Sequence, residues 1–261
     1  MNHSEKQTTA QPKTVALFVS DVHLNPGMPH TTGAFLQFLN IYGTQTEQLF
    51  LLGDLFEYWV GDDDISDSCN FSIVSALREL TLAGTKVYWI AGNRDFLIGP
   101  VFAAATGAEI LTDPSIVHIA GRKIVLCHGD EQCTDDTSYM QFRNQVRNLV
   151  WQSNFLALPL SQRKTIVQGM RQSSKKEQSQ KDLAIMDVNQ EAISKLFISS
   201  SCDTMIHGHT HRPYLHTDDK KYRYVLPDWD CDTEQKRGGW ISIDANGKIE
   251  RINVTNCCDN P

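Results

Sequence analysis

Short apolar runs recur along this chain, and five of them stop on a residue able to hold a metal ion or move a proton. Val15-Ala16-Leu17-Phe18-Val19-Ser20 runs into Asp21 and His23, Phe50-Leu51-Leu52-Gly53 into Asp54, and Val87-Tyr88-Trp89-Ile90-Ala91-Gly92 into Asn93. Ile124-Val125-Leu126-Cys127 meets His128, and Met205-Ile206 meets His207-Gly208-His209. Continuous apolar runs bounded by turn residues predict buried strands. A strand ending in Gly-Asp brings a carboxylate to the rim of a sheet, where open α/β folds keep their chemistry. Asp54 is therefore expected at the centre of the site.

Between these strands the apolar spacing becomes helical. Phe35, Phe38 and Leu39 mark a helix over 32–41, and Ile73, Val74, Leu77 and Leu80 mark one over 70–83 that stops at Gly84. Residues 100–106 predict a short helix closed by Gly107, followed by a hairpin of 115–120 and 123–127 that turns at Gly121-Arg122. Further strands are expected at 222–226 and 239–243, and Asp62-Asp63-Asp64 reads as a solvated acidic turn. From Asp135 onward Phe142, Val146, Leu149 and Val150, then Ile166, Val167 and Met170, predict helices inserted into the α/β body over about 137–197. Residues 1–13 read as a polar tail and 14–261 as a single domain.

Composition adds limits. With 41% hydrophobic and 21% charged residues the chain is ordinary for a globular enzyme, and no apolar run approaches the roughly 18 residues of a membrane-spanning helix. The polar N-terminus lacks the core of a secretory signal, and seven irregularly spaced cysteines form neither a zinc pattern nor a disulfide framework, so a reducing cytoplasm is expected. A net charge of −7 argues against a general nucleic-acid binder. The charge is uneven: residues 137–181 hold eight Lys or Arg against Glu177 alone, a segment of +7 that leaves −14 elsewhere. A basic, apolar insertion fits either a helical cap with a solvated face or a site for an anionic amphiphile.

The strand exits collect Asp21, His23, Asp54, Asn93, His128, His207 and His209, seven oxygen or imidazole donors without a thiolate. Two divalent ions ~3.5–4 Å apart need about this many donors with one shared, and the lack of sulfur favours Mn²⁺ or similar metals over structural zinc. Such a pair serves the hydrolysis of phosphoesters or phosphoanhydrides, with Arg94 placed to contact a phosphate.

The series Asp-x-His, Gly-Asp, Gly-Asn, His-Gly and Gly-His-Thr-His resembles the calcineurin-like metallophosphoesterases. That resemblance implies a four-layered αββα sandwich with a dinuclear centre and a helical insertion serving as a lid. Gly92-Asn93-Arg94-Asp95-Phe96, the stretch from Gly53 to Asp63, His128-Gly129-Asp130, Cys133-Thr134-Asp135-Asp136, Ile185-Met186-Asp187-Val188 and the stretch from His207 to Pro213 narrow it to the UDP-2,3-diacylglucosamine hydrolases of lipid A biosynthesis. The resemblance implies two Mn²⁺ per chain, one on Asp21, His23, Asp54 and His209 and the other on Asp54, Asn93, His128 and His207. It implies hydrolysis at the α-phosphorus, giving UMP and 2,3-diacylglucosamine 1-phosphate, with Asp54, Asn93, Arg94 and His207 catalytic. Substrate contacts carry over to Asn93, Arg94, Asp136, Ser174, Gln178, Lys181 and His207, while His211 is assigned a supporting role without metal. The insertion would then bind two acyl chains, and the protein, expected to be a monomer, would sit peripherally on the cytoplasmic face of a Gram-negative inner membrane. Two departures stand out: Gln178 replaces the family's Asn, and Val225-Leu226-Pro227-Asp228-Trp229 replaces Val-Leu-Gly-x-Trp. A nuclease or nucleotide phosphodiesterase with the same metals, and a scaffold without chemistry, are the alternatives.

Overall fold

The computed structural model describes residues 12–178 and 187–254, with the side chains of 172–178 excepted. In chain order the strands are β1 (Thr14–Val19), β2 (Gln48–Leu52), β3 (Lys86–Ile90), β4 (Glu109–Ile110), β5 (Ser115–Ile119) and β6 (Arg122–Leu126). There follow β7 (Thr204–His207), β8 (Leu215–Asp218), β9 (Lys221–Val225), β10 (Gly239–Asp244) and β11 (Ile249–Asn253). The helices are α1 (Pro29–Ile41), α2 (Ser68–Leu82), α3 (Pro100–Thr106), α4 (Thr137–Val146), α5 (Leu149–Leu156), α6 (Leu160–Gln178) and α7 (Gln190–Ser200).

Strand alternation sorts the apolar side chains onto two faces, and each face is buried by a different layer. One sheet has the order β11-β10-β1-β2-β3-β4 and the other β5-β6-β7-β9-β8. Ala16, Phe18, Phe50, Leu52 and Ile90 of the first sheet meet Ile124, Leu126 and Ile206 of the second in the space between them. The opposite set from the same strands, Leu17, Val19, Leu49, Leu51 and Trp89, packs on Phe35 and Phe38 of α1, Leu77 of α2 and Phe102 of α3. On the outer face of the second sheet, Val125 and Met205 pack on Ile193, Leu196 and Phe197 of α7. The architecture is the expected four-layered αββα sandwich, with β1, β2 and β3 parallel so that their C-terminal ends share one edge.

Two expectations change. The insertion expected over about 137–197 takes in most of α7, whose apolar face covers the second sheet and forms the fourth layer of the body. The acidic turn, with Asp63 exposed, also makes tertiary contacts. Asp62 accepts the N–H groups of Val101 and Phe102 (2.9 and 3.0 Å) at the start of α3, a cap of the kind that contributes about 1 kcal/mol. Asp63 pairs with Arg163, which is 2% exposed, and Asp64 pairs with Lys164 at 2.7 Å.

The same contacts account for most of the insertion's charge. Arg143 reaches Asp130 and Glu131 (2.9 and 3.3 Å), and Arg147 donates to the carbonyl of Gly92 (2.9 Å). Arg171 pairs with Glu57. All five basic side chains of α4–α6 whose positions are described hold the insertion against an acidic body. Phe155 of α5 adds an apolar anchor in the first sheet's outer core, with Trp151 and Val167 packed beside it.

Candidate metal centre

The ends of β1, β2, β3, β6 and β7 meet along one edge, and the backbone beyond β1 and β2 stays zipped together. The N–H of Asp21 donates to the Gly53 carbonyl (3.1 Å), that of His23 to Asp54 (3.0 Å), and that of Leu24 to Leu55 (2.8 Å). At these exits the chain leaves ordinary conformational space. Asp21, His23, Asp54, His209 and His211 all have left-handed backbones, with φ of 54°, 54°, 54°, 67° and 54°. Each such residue costs on the order of 1–3 kcal/mol and persists where its surroundings over-determine it, as they do at functional sites.

Glycines let these residues approach one another. A Cβ on Gly92 would collide with the backbone N and carboxylate of Asp54, and one on Gly208 would collide with Ser20 and the Asp21 carboxylate. The N–H of His209 donates to Asp21 Oδ2 (2.8 Å), and that of Arg94 donates to Asp54 Oδ1 (2.9 Å).

Two donor clusters result. In the first, ligand atoms of Asp21, His23 and His211 lie within 4.8 Å of one another, with the two imidazole Nε2 atoms 3.2 Å apart. In the second, Asn93 Oδ1 lies 2.9 Å from His128 Nε2 and 3.0 Å from His209 Nδ1. Asp54 stands between them, grouped with both Asp21 and His128, with its Oδ1 3.7 Å from His128 Nε2. His128 Nδ1 lies 2.8 Å from the Leu52 carbonyl, which only accepts, so Nδ1 carries the proton and Nε2 faces the cluster.

The electrostatics call for positive charge here. Burial lowers the affinity of His128 for a proton, but Asp54, Asp21 and Asp130 outweigh it and push its pKa up to about 9. Burial raises the Asp54 pKa against the pull of His128 and Arg94. Burial would also raise Asp21, but the His211 imidazole beside it, 3.5 Å from Oδ1, holds it well below the usual carboxylate range. Asp21 Oδ1 and His23 Nδ1 are buried without a hydrogen-bond partner. Oxygen and imidazole donors, orphaned buried atoms and paired acids together fit divalent cations.

One expected ligand is not among them. His207 Nε2 lies 3.1 Å from Arg223 Nη1 and its Nδ1 2.9 Å from the Gly208 carbonyl. A guanidinium only donates and a carbonyl only accepts, so in this arrangement Nδ1 carries the proton and Nε2 accepts from Arg223. Burial, followed by Arg223, lowers the His207 pKa to about 3, keeping the ring neutral. Strand alternation is the reason: on β7 Ile206 faces the other sheet, so His207 points with Met205 to the opposite side. His209 and His211, beyond the strand end, turn back into the centre. His207 was expected as a ligand and catalytic residue; in this arrangement its ring contacts Arg223 and Gly208, while His211 stands beside Asp21 and His23.

Of the remaining predicted residues, Arg94 and Asp136 have described side chains. Arg94 is partly exposed at the rim, with Nε 3.6 Å from Asp54 Oδ2 and Nη1 3.3 Å from Glu57 Oε2. Asp136, expected to touch substrate, is 7% exposed and caps α4 by accepting the Tyr139 N–H at 3.0 Å. Ser174 and Gln178 lie on α6, where side chains fall outside the described set, and Lys181 lies outside the described residues. Sequence reasoning missed Glu57, whose carboxylate joins Arg94, Arg171 and the ring of His23 (Nδ1 at 3.5 Å), and Asp228, 3.5 Å from His211 Nδ1. No spacing rule marks either; each follows a motif by a few residues, and only the fold aims it inward.

The calcineurin-like phosphoesterase profile matches residues 15–213. A UDP-2,3-diacylglucosamine hydrolase of Ralstonia nicotianae is 43% identical over 87% of this chain and 88% of its own. The protein of that name from Chromohalobacter salexigens is 42% identical over 82% and 88%, and that from Bordetella parapertussis 41% over 87% and 91%. With the sandwich, the strand-exit donors and this similarity agreeing, the chain belongs to the calcineurin-like phosphoesterase family, alongside the UDP-2,3-diacylglucosamine hydrolases within it.

Proposed function

We propose that this enzyme hydrolyses the phosphoanhydride of UDP-2,3-diacylglucosamine at the α-phosphorus, releasing UMP and 2,3-diacylglucosamine 1-phosphate in lipid A synthesis, with two Mn²⁺ per chain. The observation that carries the reading is the convergence of two donor clusters on Asp54 in a chain 41–43% identical to relatives bearing that name.

Asp21, His23, Asp54 and His211 would hold one cation, and Asp54, Asn93, His128 and His209 the other. When bound, such a pair supplies an acidified water and neutralises phosphoryl oxygens during in-line displacement. The chain's own residues set the geometry. Leu52 fixes the His128 tautomer, the Arg94 N–H fixes the Asp54 carboxylate, and Asp228 lies against the outer nitrogen of His211. The Arg94 guanidinium, held by Glu57 and Asp54 at the open rim, is positioned to take a bidentate grip on phosphate as charge develops.

The lipid half would lie under α4–α6. These helices leave Phe142, Leu149, Val150, Leu156 and Ile166 exposed, with Leu149 79% accessible, a surface suited to acyl chains at about 0.8 kcal/mol per buried CH₂. Ser174, Gln178 and Lys181 remain substrate contacts in this reading, whereas Asp136 acts through the start of α4. Among the described residues no helix is long and apolar enough to cross a membrane, and peripheral association of a monomer with the cytoplasmic face of the inner membrane is part of the proposal. The test is incubation of the purified protein and Mn²⁺ with UDP-2,3-diacylglucosamine, scoring UMP. Release of UMP that disappears in Asp54→Ala supports the reading; no release, or full release by that variant, sinks it.

A further inference from the structure

A cavity adjoins the centre on the side away from the insertion. It measures about 490 Å³, within the ~300–1,000 Å³ of small-molecule sites, and its walls include His211, Pro213, Pro227, Asp228, Lys236 and Asn253. Its position follows from strand order. The β1 exit, with Asp21 and His23, lies between β10 on one side and β2 and β3 on the other. The insertion docks on the β2 and β3 exits, through Glu57, Val60, Ala91 and Gly92. The cavity is built from the ends of β9, β10 and β11. His211 is the partition: its Nε2 is 3.2 Å from His23 Nε2 in the donor cluster, and its Nδ1 is 3.5 Å from Asp228 in the cavity wall.

A substrate cleaved at this centre extends in two directions. Resting on the diphosphate substrate argued above, we propose that this cavity takes the half whose phosphorus is attacked, a pyrimidine nucleoside monophosphate, while the insertion keeps the acylated half, which departs with its 1-phosphate. The wall chemistry matches. Pro213 and Pro227 line it with apolar rings and no backbone N–H, suited to packing on the faces of a base. The Asn253 amide offers a donor and an acceptor, the complement of the imide edge of uracil, and the Lys236 ammonium suits a phosphate oxygen. Pro227 stands where the family pattern has glycine, so the departure noted in the sequence stiffens a wall of this cavity and leaves the donor clusters untouched.

UMP and inorganic phosphate, titrated calorimetrically into the Mn²⁺-loaded protein, separate the cavity from the metals. The expected result is UMP binding at least about tenfold tighter than inorganic phosphate, because only the nucleotide satisfies the cavity's polar groups. Asn253→Trp, on an exposed strand position, fills the cavity and removes that preference while phosphate binding persists; Lys236→Ala reduces it in part. Equal binding of the two ligands by the wild type, or a preference that survives Asn253→Trp, overturns the proposal. A chain that keeps the preference yet releases no UMP from the diacylated substrate leaves the cavity assigned and removes the lipid reading instead.

Discussion

The Nε2 atoms of His23 and His211 lie 3.2 Å apart, too close for two neutral acceptors with nothing shared between them. Asp21 Oδ1 stands 3.5 Å from the same His211 nitrogen, so the gap is built for positive charge. His211→Ala is therefore expected to remove one of about two bound divalent ions per chain, read by elemental analysis of the purified protein. His207→Gln, which keeps an acceptor for Arg223, is expected to leave both ions bound. Loss of metal from the His207 variant with retention in the His211 variant would reverse the assignment.

Much of this centre was legible in the sequence, because a parallel strand buried on both faces is a continuous apolar run whose end is visible. Asp21, Asp54, Asn93 and His128 each follow such a run, and all four reach the site. Spacing alone does not order the histidines: His207, His209 and His211 share a spacing of two, and which of them face the donor clusters depends on β7 ending at His207, beyond which His209 and His211 take left-handed turns. Charge was legible only as a total. The +7 of the insertion left a helical cap and a site for an anionic amphiphile equally open, and five of its eight basic residues, Arg143, Arg147, Arg163, Lys164 and Arg171, pair with acids and carbonyls of the body.

Among the described residues the Arg94 guanidinium pairs with Asp54 and Glu57, and neither donor cluster includes it. Its removal is expected to spare the metals and slow the chemistry. Arg94→Ala should lower kcat/KM for the lipid substrate by about 10²-fold with metal content unchanged, in line with the loss of one donor to developing charge. A metal-depleted Arg94→Ala protein would make the residue structural.

Gly208 is constrained from the side chain of a ligand. A methyl group there meets Ser20 Oγ and Asp21 Oδ2, and Ser20 already donates to that oxygen at 2.5 Å. Gly208→Ala must push the Asp21 carboxylate from its place, and metal affinity is expected to fall by about 10–100-fold, the usual cost of disturbing a ligand's supports. Equilibrium dialysis against buffered Mn²⁺ measures it, and affinity equal to wild type would show that Asp21 tolerates the shift or does not bind.

The docking of α6 carries its own pH signature. Arg163 is nearly inaccessible, donates to the Leu158 and Val60 carbonyls, and spans to Asp63, whose carboxyl the Arg163 hydrogen bond holds below its ordinary 3.8. A carboxyl with a depressed folded value stabilises the fold at pH values above 3.8 and loses that contribution as the pH falls through the lower value. Asp63 is more than half exposed, so solvent screens the pair and the contribution at neutral pH is modest. Asp63→Asn is accordingly expected to lower Tm slightly at pH 7, with the gap from wild type closing as the pH drops below 3.8. Arg163→Ala is a harsher change, because it deletes a buried guanidinium that ties α6 to the β2 exit; a loss of about 3 kcal/mol is expected, with little dependence on pH. Calorimetric melts of both variants across pH 3–7 test the pair. A gap for Asp63→Asn that widens toward acid would mean that the carboxylate is destabilising in the fold, and α6 would have to be held by Lys164, Arg171 and its apolar contacts instead.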